Sequence, residues 1–322
     1  MPTQMFAQII DANINRISEG FRVIEEYVRF VACHAEFTAQ LATLRRQINQ
    51  TETAKNANLM SRNTEMDMRA KEIPAQRSSI QDILIANFKR VEEGLRVLEE
   101  YTGNAVFNQV RYDVYMLEKA IVLLAQTPKI TPGLYLISDN LSILEQGMKW
   151  GCALVQLRDK HASKRDIFSK AVQLKAISEH YNVPWIINDH IDIAISVGAS
   201  GLHTGQDDLP ITQIRDILGP HKLIGRTTHD ITQGQDAQSQ GADYVSVGPI
   251  WETPSKPGRD AIGTTYLKDA QTKLSIPYVA IGGINQSNIS EIMSFSPPLV
   301  GVIRDYQSIP EWRRTYFQAP SL

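Results

Sequence analysis

Charged and polar side chains recur in this sequence just after short apolar runs, and their types are those that hold phosphate and divalent cations. The set combines cations, carboxylates and a glycine pair, namely Arg158, Lys160, Lys256, Asp189, Asp208, Gly282 and Gly283. Carboxylate oxygens suit a hard cation such as Mg²⁺, and lysine and arginine bind phosphate oxygens. The glycine pair precedes a helix expected to begin at Ile284, so its backbone N–H groups are free to hold a second phosphate. Gathered in one site, these residues predict binding of Mg²⁺ and of two phosphorylated substrates.

The sequence does not pair a nucleophile with a base. His203 lies within an apolar run, where a histidine is usually packed and hydrogen-bonded. His190 and His229 are better placed, but no serine or cysteine stands out as their partner. The residues therefore favour stabilisation of a leaving group over covalent catalysis.

Eight apolar, β-rich runs alternating with helical segments must position these side chains. The runs are residues 133–138, 153–157, 185–188, 201–203, 223–225, 244–248, 278–282 and 299–303. Near-continuous apolar strands separated by helices predict a parallel sheet, and eight such units predict a (β/α)8 TIM barrel. A doubly wound open sheet is the alternative, but no Gly-x-Gly-x-x-Gly follows the first run. Polar clusters follow the second to seventh runs, which places them on the face where barrel active sites form.

The first third of the chain contains an internal repeat. Residues 12–27 match residues 86–101 at ten of sixteen positions, and apolar residues three and four apart predict that both copies are helices. We expect an all-α helical domain over residues 1–126, a linker over 127–132 and the barrel over 133–322. The polar stretch 51–76 reads as a long connection between the copies.

The repeated helices carry matched glycines and polar rows. Gly20 and Gly94 lie in mid-helix, where glycine is unfavourable, so we expect a close helix crossing there. A pocket between the helices would use two equivalent sets of partly buried side chains: Asn13, Arg16 and Glu19, and Asn87, Arg90 and Glu93. Solvated, ion-paired helix faces are the alternative interpretation.

Composition excludes several classes of protein. The 322 residues include 33 lysines and arginines and 35 aspartates and glutamates. The sequence therefore lacks the excess of basic residues that would bind a nucleic acid or an anionic membrane. The two cysteines, Cys33 and Cys152, cannot form a disulfide scaffold and fit a reducing cytoplasm. The N-terminus does not resemble a signal peptide, and no apolar run approaches the ~18 residues of a membrane span. We expect a cytoplasmic protein, and formation of a homo-oligomer stays open.

From about residue 133 to about residue 306 the sequence resembles thiamine phosphate synthases. The resemblance rests on five motifs in the family's order: VQLRDK at 155–160, IND at 187–189, GLHTGQDD at 201–208, GPIWETPSK at 248–256 and AIGGI at 280–284. It implies a (β/α)8 transferase that joins hydroxymethylpyrimidine diphosphate to hydroxyethylthiazole phosphate and releases diphosphate with Mg²⁺. The implied mechanism is dissociative: the diphosphate leaves, the aminopyrimidine stabilises the methylene cation, and the thiazole nitrogen captures it.

The resemblance also implies roles for individual residues. Gln156 and Asn188 match positions that hold the aminopyrimidine, and the diphosphate contacts match Arg158, Lys160 and Lys256. Asp189 and Asp208 match the magnesium ligands. The thiazole phosphate contacts match Thr253, Pro254, Ser255 and Gly283, and Leu157 and Asp159 belong to the same substrate-binding motif as Gln156. Thr227 is a candidate catalytic residue together with the three cations, and it stands where many relatives have serine. His190 stands where many relatives have a second aspartate.

The sequence from about residue 6 to about residue 122 resembles the helical domain that precedes some thiamine phosphate synthases. The two repeated helices are the signature of that domain. That domain has been proposed to phosphorylate hydroxymethylpyrimidine phosphate. No Gly-x-x-x-x-Gly-Lys-[Ser/Thr] loop is present, so a dimerisation or docking module is the alternative. For the barrel, the alternative is a non-synthase that binds thiamine-pathway phosphates as an isomerase or regulator.

Overall fold

The computed structural model describes residues 6–55, 76–254 and 260–317. The chain divides into two compact units, Met1–Gln126 and Thr127–Leu322. Within the described ranges, no helix is both long enough and apolar enough to cross a membrane.

The first unit is helical. Its helices are α1 (Ala7–Phe30), α2 (Ala35–Asn49), α3 (Glu52–Lys55), α4 (Ile80–Thr102) and α5 (Ala105–Gln126). The apolar stripes predicted by the repeat pack together, with Ile17, Phe21 and Phe88 in the buried core. The Ser79 side chain caps α4 by accepting a hydrogen bond from the Asp82 N–H at 3.1 Å.

Helices α1 and α4 cross at their matched glycines, as predicted. A Cβ atom on Gly20 would lie 2.7 Å from Val91 Cγ2, and one on Gly94 would lie 2.7 Å from Ile17 Cγ1. Both distances are too short for carbon atoms in contact, so only glycine allows this approach of the two helices.

The second unit is a closed barrel of eight parallel strands, which confirms the predicted fold. The strands are β1 (Gly133–Ser138), β2 (Leu154–Leu157), β3 (Trp185–Asn188), β4 (Gly201–Thr204), β5 (Leu223–Thr228), β6 (Tyr244–Val247), β7 (Tyr278–Ala280) and β8 (Leu299–Val302). The helices are α6 (Leu141–Lys149), α7 (Lys164–Tyr181), α8 (Ile191–Val197), α9 (Ile211–Leu218), α10 (Ile231–Ser239), α11 (Thr265–Lys273), α12 (Ile289–Met293) and α13 (Ile309–Tyr316), with a 3₁₀ turn at Tyr306–Ser308.

Alternate residues of each strand face the barrel interior. Tyr135, Ile186 and Tyr244 belong to the inner core, whereas Leu136 and Ile187 pack in the outer core against the helices. Because the strands are parallel and pair in order, their carboxyl ends meet at one mouth.

The helix predicted to begin at Ile284 is absent at that point. Helix α12 begins at Ile289, because asparagine side chains fold the preceding residues into turns. The Asn285 side-chain Oδ1 accepts from the Ser287 N–H at 2.9 Å, and the Asn288 side-chain Oδ1 accepts from the Asn285 N–H at 2.8 Å. These local hydrogen bonds compete with helical ones.

Candidate active site at the barrel mouth

Most of the predicted cations and carboxylates open onto one cleft of about 1040 Å³ at the carboxyl ends of the strands. Its lining includes Arg158 and Lys160 after β2, Asp189 after β3, and Asp208 after β4. Ser255 and Lys256 lie outside the described residues.

Asp189 and Lys160 form an ion pair within the cleft. Asp189 has a φ of +61°, in the left-handed region that residues other than glycine seldom occupy, and its N–H donates to the His203 carbonyl at 2.9 Å. Such backbone conformations cluster at functional sites. The turn aims this carboxylate at the β2 loop, so an anion and a cation that the sequence separates by 29 residues meet.

Asp208 lies in a loop that a buried arginine holds in place. The Asp208 carboxylate accepts from the Gly205 N–H at 2.6 Å. Arg226, on the outer face of β5, donates one hydrogen bond to the Gly205 carbonyl and a second, of 2.5 Å, to the Leu209 carbonyl. Burial lowers the pKa of Arg226, and the nearby Asp208 charge opposes that shift. The guanidinium thus ties together both ends of the loop that carries Asp208.

The sequence-based prediction overlooked Arg226. The signal available was a charged residue between the apolar run 223–225 and Thr227, at a position where the strand should face the outer core. β5 runs to Thr228, three residues beyond the predicted run, because Thr227 and Thr228 pair with β6.

Two residues of the motif at 155–160 make contacts within the protein. Leu157 is buried in the outer core, so its side chain packs against helices and not in the cleft. The Asp159 carboxylate accepts from Lys170 Nζ at 2.7 Å and from the N–H groups of His161 and Ala162. The Lys170 hydrogen bond is the main cause that lowers the Asp159 pKa to about 2. These contacts support the loop between Arg158 and Lys160, and a direct contact of Asp159 with substrate stays a prediction.

An inner cavity lies at the bottom of the cleft, among side chains from the barrel interior. Gln156, Asn188, His203 and Thr227 line it, and all four are buried. Both ring nitrogens of His203 are hydrogen-bonded, to Tyr244 at 3.1 Å and to Thr227 at 3.0 Å. His203 is therefore a packed and satisfied histidine, as predicted.

A smaller pocket of about 270 Å³ adjoins the ends of β7 and β8. Gly282 and Gly283 line it with φ values of +104° and +70°, and a Cβ on Gly283 would lie 2.7 Å from Trp251 Cβ. Thr253 also lines this pocket, whereas Pro254 lines the main cleft. Arg304, which the sequence-based prediction missed, lines both spaces. Its signal was a cation directly after the last apolar run.

The carboxylates of the cleft have the donor atoms that Mg²⁺ prefers. Across residues 6–55, 76–254 and 260–317, no group of three or more His, Cys, Asp or Glu side chains is close enough together to hold a metal ion. Asp189 and Asp208 offer hard oxygen donors in one cleft. Mg²⁺ commonly takes one or two carboxylates and completes its six ligands with substrate phosphate and water, so this pair fits the ion.

Of the six residues predicted to form a pocket in the helical unit, two are buried and four are exposed. Asn13 and Asn87 are buried, and each donates to a carbonyl four residues earlier in its helix, Ile9 and Ile83, at 2.8 Å. The expected partial burial does not hold for the other four, Arg16, Glu19, Arg90 and Glu93, which are exposed. Ile17 and Val91 fill the seam at the glycine contacts and leave the longer polar side chains at its edge. A pocket there stays a prediction.

Both units are similar to known proteins. A family model described as thiamine monophosphate synthase matches residues 130–305, and the ThiD2 family model matches residues 8–120. The thiamine-phosphate synthase of Thermosynechococcus vestitus is 38% identical over 318 residues, covering 94% of this chain and 90% of that protein. That of Gloeobacter violaceus is 35% identical over 326 residues, covering 97% and 95%. A solved thiamine phosphate pyrophosphorylase from Pyrococcus furiosus matches with a TM-score of 0.52 and 27% identity over 57% of this chain and 94% of that chain.

Proposed function

The chain belongs to the thiamine monophosphate synthase family, and from this premise we propose that its barrel joins hydroxymethylpyrimidine diphosphate to hydroxyethylthiazole phosphate. The products are thiamine phosphate and diphosphate. The protein is a transferase of thiamine biosynthesis.

The proposal rests on two candidate anion-binding regions in adjoining spaces at the barrel mouth. Arg158 and Lys160 line the main cleft, and Gly283 lines the adjoining pocket. Arg304 borders both spaces. A synthase that uses one diphosphate and one monophosphate substrate needs two such regions, with the rings between them. An isomerase with a single phosphorylated substrate needs one.

The residues of the cleft act on the leaving group. Arg158 and Lys160 stabilise the negative charge that grows on the diphosphate as its bond to the pyrimidine methylene breaks. Asp189 and Asp208 would hold Mg²⁺, which when bound neutralises further charge on the departing diphosphate. Gln156 and Asn188 hold the pyrimidine in the inner cavity, and Thr253 and the Gly283 backbone hold the thiazole phosphate. The chain thereby aligns the two rings for bond formation.

The test is an assay of the purified chain with both substrates and Mg²⁺, in which thiamine phosphate and released diphosphate are measured together. Equimolar formation of the two products is expected. Binding of both substrates without product would favour the alternative, a barrel that regulates or isomerises thiamine-pathway phosphates.

For the helical unit we propose phosphorylation of hydroxymethylpyrimidine phosphate by ATP. The ThiD2 match supports this proposal, and so does the chemistry, because the product of that reaction is the diphosphate substrate of the barrel. The competing function is dimerisation or docking.

The full chain with ATP and hydroxymethylpyrimidine phosphate separates the two functions. We expect ADP and the diphosphate to form, and Arg16→Ala and Arg90→Ala to abolish this step. Arg22→Ala is the control, since Arg22 is exposed on the same helix and pairs with Glu26 at 2.6 Å. If the wild-type chain shows no turnover, a dimerisation or docking function is favoured. Equal turnover in all three variants would exclude the predicted pocket.

A further inference from the structure

We propose that five buried side chains form a hydrogen-bond chain of fixed direction across the barrel interior, and that this chain makes the site specific for an aminopyrimidine. The inference rests on the proposed synthase function, because the pyrimidine is taken to bind in the inner cavity. The five residues, here called the interior chain, are Gln156, Tyr135, Tyr244, His203 and Thr227.

The interior chain is continuous. Gln156 Nε2 donates to the Tyr135 hydroxyl at 2.5 Å, and the Tyr135 and Tyr244 hydroxyl oxygens are 2.9 Å apart. The Tyr244 hydroxyl lies 3.1 Å from His203 Nδ1, and His203 Nε2 lies 3.0 Å from Thr227 Oγ1. The five side chains come from β2, β1, β6, β4 and β5, and each is exposed by 8% or less.

The side chains of the interior chain are closely packed against Gly225 and against one another. A Cβ atom on Gly225 would lie 2.2 Å from Tyr244 Cζ and 2.5 Å from His203 Nδ1. The rings of His203 and Tyr244 are stacked with centroids 5.5 Å apart, and Tyr135 meets Tyr244 edge-on at 5.9 Å. The chain is therefore a packed feature of the barrel.

Proton counting gives the chain its direction. An amide nitrogen can only donate, so the Tyr135 oxygen accepts from Gln156. Among the described residues, Tyr244 is the other hydrogen-bond partner of the Tyr135 hydroxyl, so the single Tyr135 proton goes to Tyr244. Tyr244 in turn donates to His203 Nδ1, which places the imidazole proton on Nε2. That proton goes to Thr227 Oγ1. Burial raises the pKa of Tyr135 and of Tyr244, so both hydroxyls keep their protons.

The direction decides what the two ends present to a ligand. Gln156 donates one of its two amide N–H groups to Tyr135, and this orientation of the amide leaves Oε1 as an acceptor for the inner cavity. The Thr227 oxygen has accepted from His203, so its own proton is a donor for that cavity. Both residues line the space. The orientation of the Gln156 amide thus sets the direction of the other links.

An aminopyrimidine complements these ends. Its exocyclic amine donates to Gln156 Oε1, and a ring nitrogen accepts from Thr227. In the oxopyrimidine analogue a carbonyl replaces the amine and the adjacent ring nitrogen carries a proton. The carbonyl would then face the Gln156 Oε1 acceptor, and the ring N–H would face the Thr227 hydroxyl proton. Sites that hydrogen-bond a substrate group in this way can favour that substrate over an analogue without the group by on the order of 10⁴-fold in kcat/KM.

The experiment compares kcat/KM for the aminopyrimidine and oxopyrimidine diphosphates. We expect strong preference for the amine in the wild type, and in Tyr135→Phe and Tyr244→Phe a loss of about tenfold or more in that preference, chiefly through KM of the amine. Tyr266→Phe is the matched control. It removes the hydroxyl of another buried tyrosine, which bonds Thr228 at 2.7 Å outside the interior chain.

Nitrogen NMR of His203 gives a readout that does not depend on activity. The wild type should show the proton on Nε2 of the imidazole, and Tyr244→Phe should mix the two tautomers. A wild-type proton on Nδ1, or an unchanged preference in both tyrosine variants, would overturn the inference. A wild type that forms no thiamine phosphate yet shows the Nε2 tautomer would count against the proposed function and leave the direction of the chain standing.

Discussion

Replacement of Arg226 tests whether the loop that carries Asp208 must be held for magnesium to bind. Arg226→Met keeps most of the side-chain length and removes both hydrogen bonds to the Gly205 and Leu209 carbonyls. Hydrogen bonds from a charged donor contribute about 1.5–3 kcal/mol each. Leu209 is 46% exposed, so water can replace the bond to its carbonyl and lessen the loss.

The loop should therefore lose about 2 kcal/mol of its preference for the present conformation, with the larger share from the Gly205 contact. Since 1.4 kcal/mol corresponds to a factor of ten, the Mg²⁺ concentration that gives half-maximal rate should rise about 20- to 30-fold. The rate at saturating Mg²⁺ should change little, because excess ion restores the loop by mass action.

The assay is a magnesium titration of diphosphate release, paired with calorimetric titration of Mg²⁺ into the enzyme with diphosphate. Arg215→Met is the control, since Arg215 also bonds backbone carbonyls, of Gly219 at 3.2 Å and Lys222 at 2.6 Å, in the loop that precedes β5. An unchanged magnesium requirement in Arg226→Met, or an equal rise in Arg215→Met, would refute the reasoning.

Three further substitutions test the remaining parts of the site. Asp189→Asn should lower turnover by orders of magnitude without loss of fold, because asparagine tolerates the left-handed backbone while the carboxylate ligand is lost; normal turnover would exclude Asp189 as a ligand. Gly283→Ala should raise KM for the thiazole phosphate and leave KM for the diphosphate near its original value, because the new Cβ would lie 2.7 Å from Trp251 Cβ; equal effects on both substrates would contradict the assignment. Asp159→Asn should lower the melting temperature near neutral pH. The pKa of Asp159 is about 2 in the fold, below its unfolded value, so its stabilisation is complete above about pH 4 and is lost as pH falls toward 2. The difference in melting temperature from the wild type should shrink over that interval, and a constant difference would argue against the Lys170 contact as its cause.

The barrel and the position of its mouth could be predicted from sequence alone. Each strand is covered on both faces, so it appears as a short apolar run, and the eight runs correspond to the eight observed strands. Parallel order then places the residues after each strand on one face. Arg158, Lys160, Asp189 and Asp208 are brought together for that reason. The glycine crossing was predictable too, because glycine in matched mid-helix positions is costly without a steric cause.

Local side-chain competition could not be weighed from the sequence. The turns at Asn285 and Asn288 displaced a predicted helix start to Ile289, because hydrogen bonds from side chains replaced those of a helical backbone. In the helical unit, polar spacing predicted which residues share a face. It did not show that Ile17 and Val91 would fill the seam and leave Arg16 and Arg90 in solvent.

Contacts between distant strands were decided by tertiary structure alone. Tyr135 and Tyr244 are 109 residues apart, and they meet because barrel closure points both into the same interior. Arg226 reaches the loop after β4 because β4 and β5 are neighbours and its side chain faces outward. The sequence therefore determined which residue types stand at the ends of the strands. The closed register of the sheet determined which of them touch, because side-chain direction alternates along each strand and only pairing between strands places two inward residues at one level.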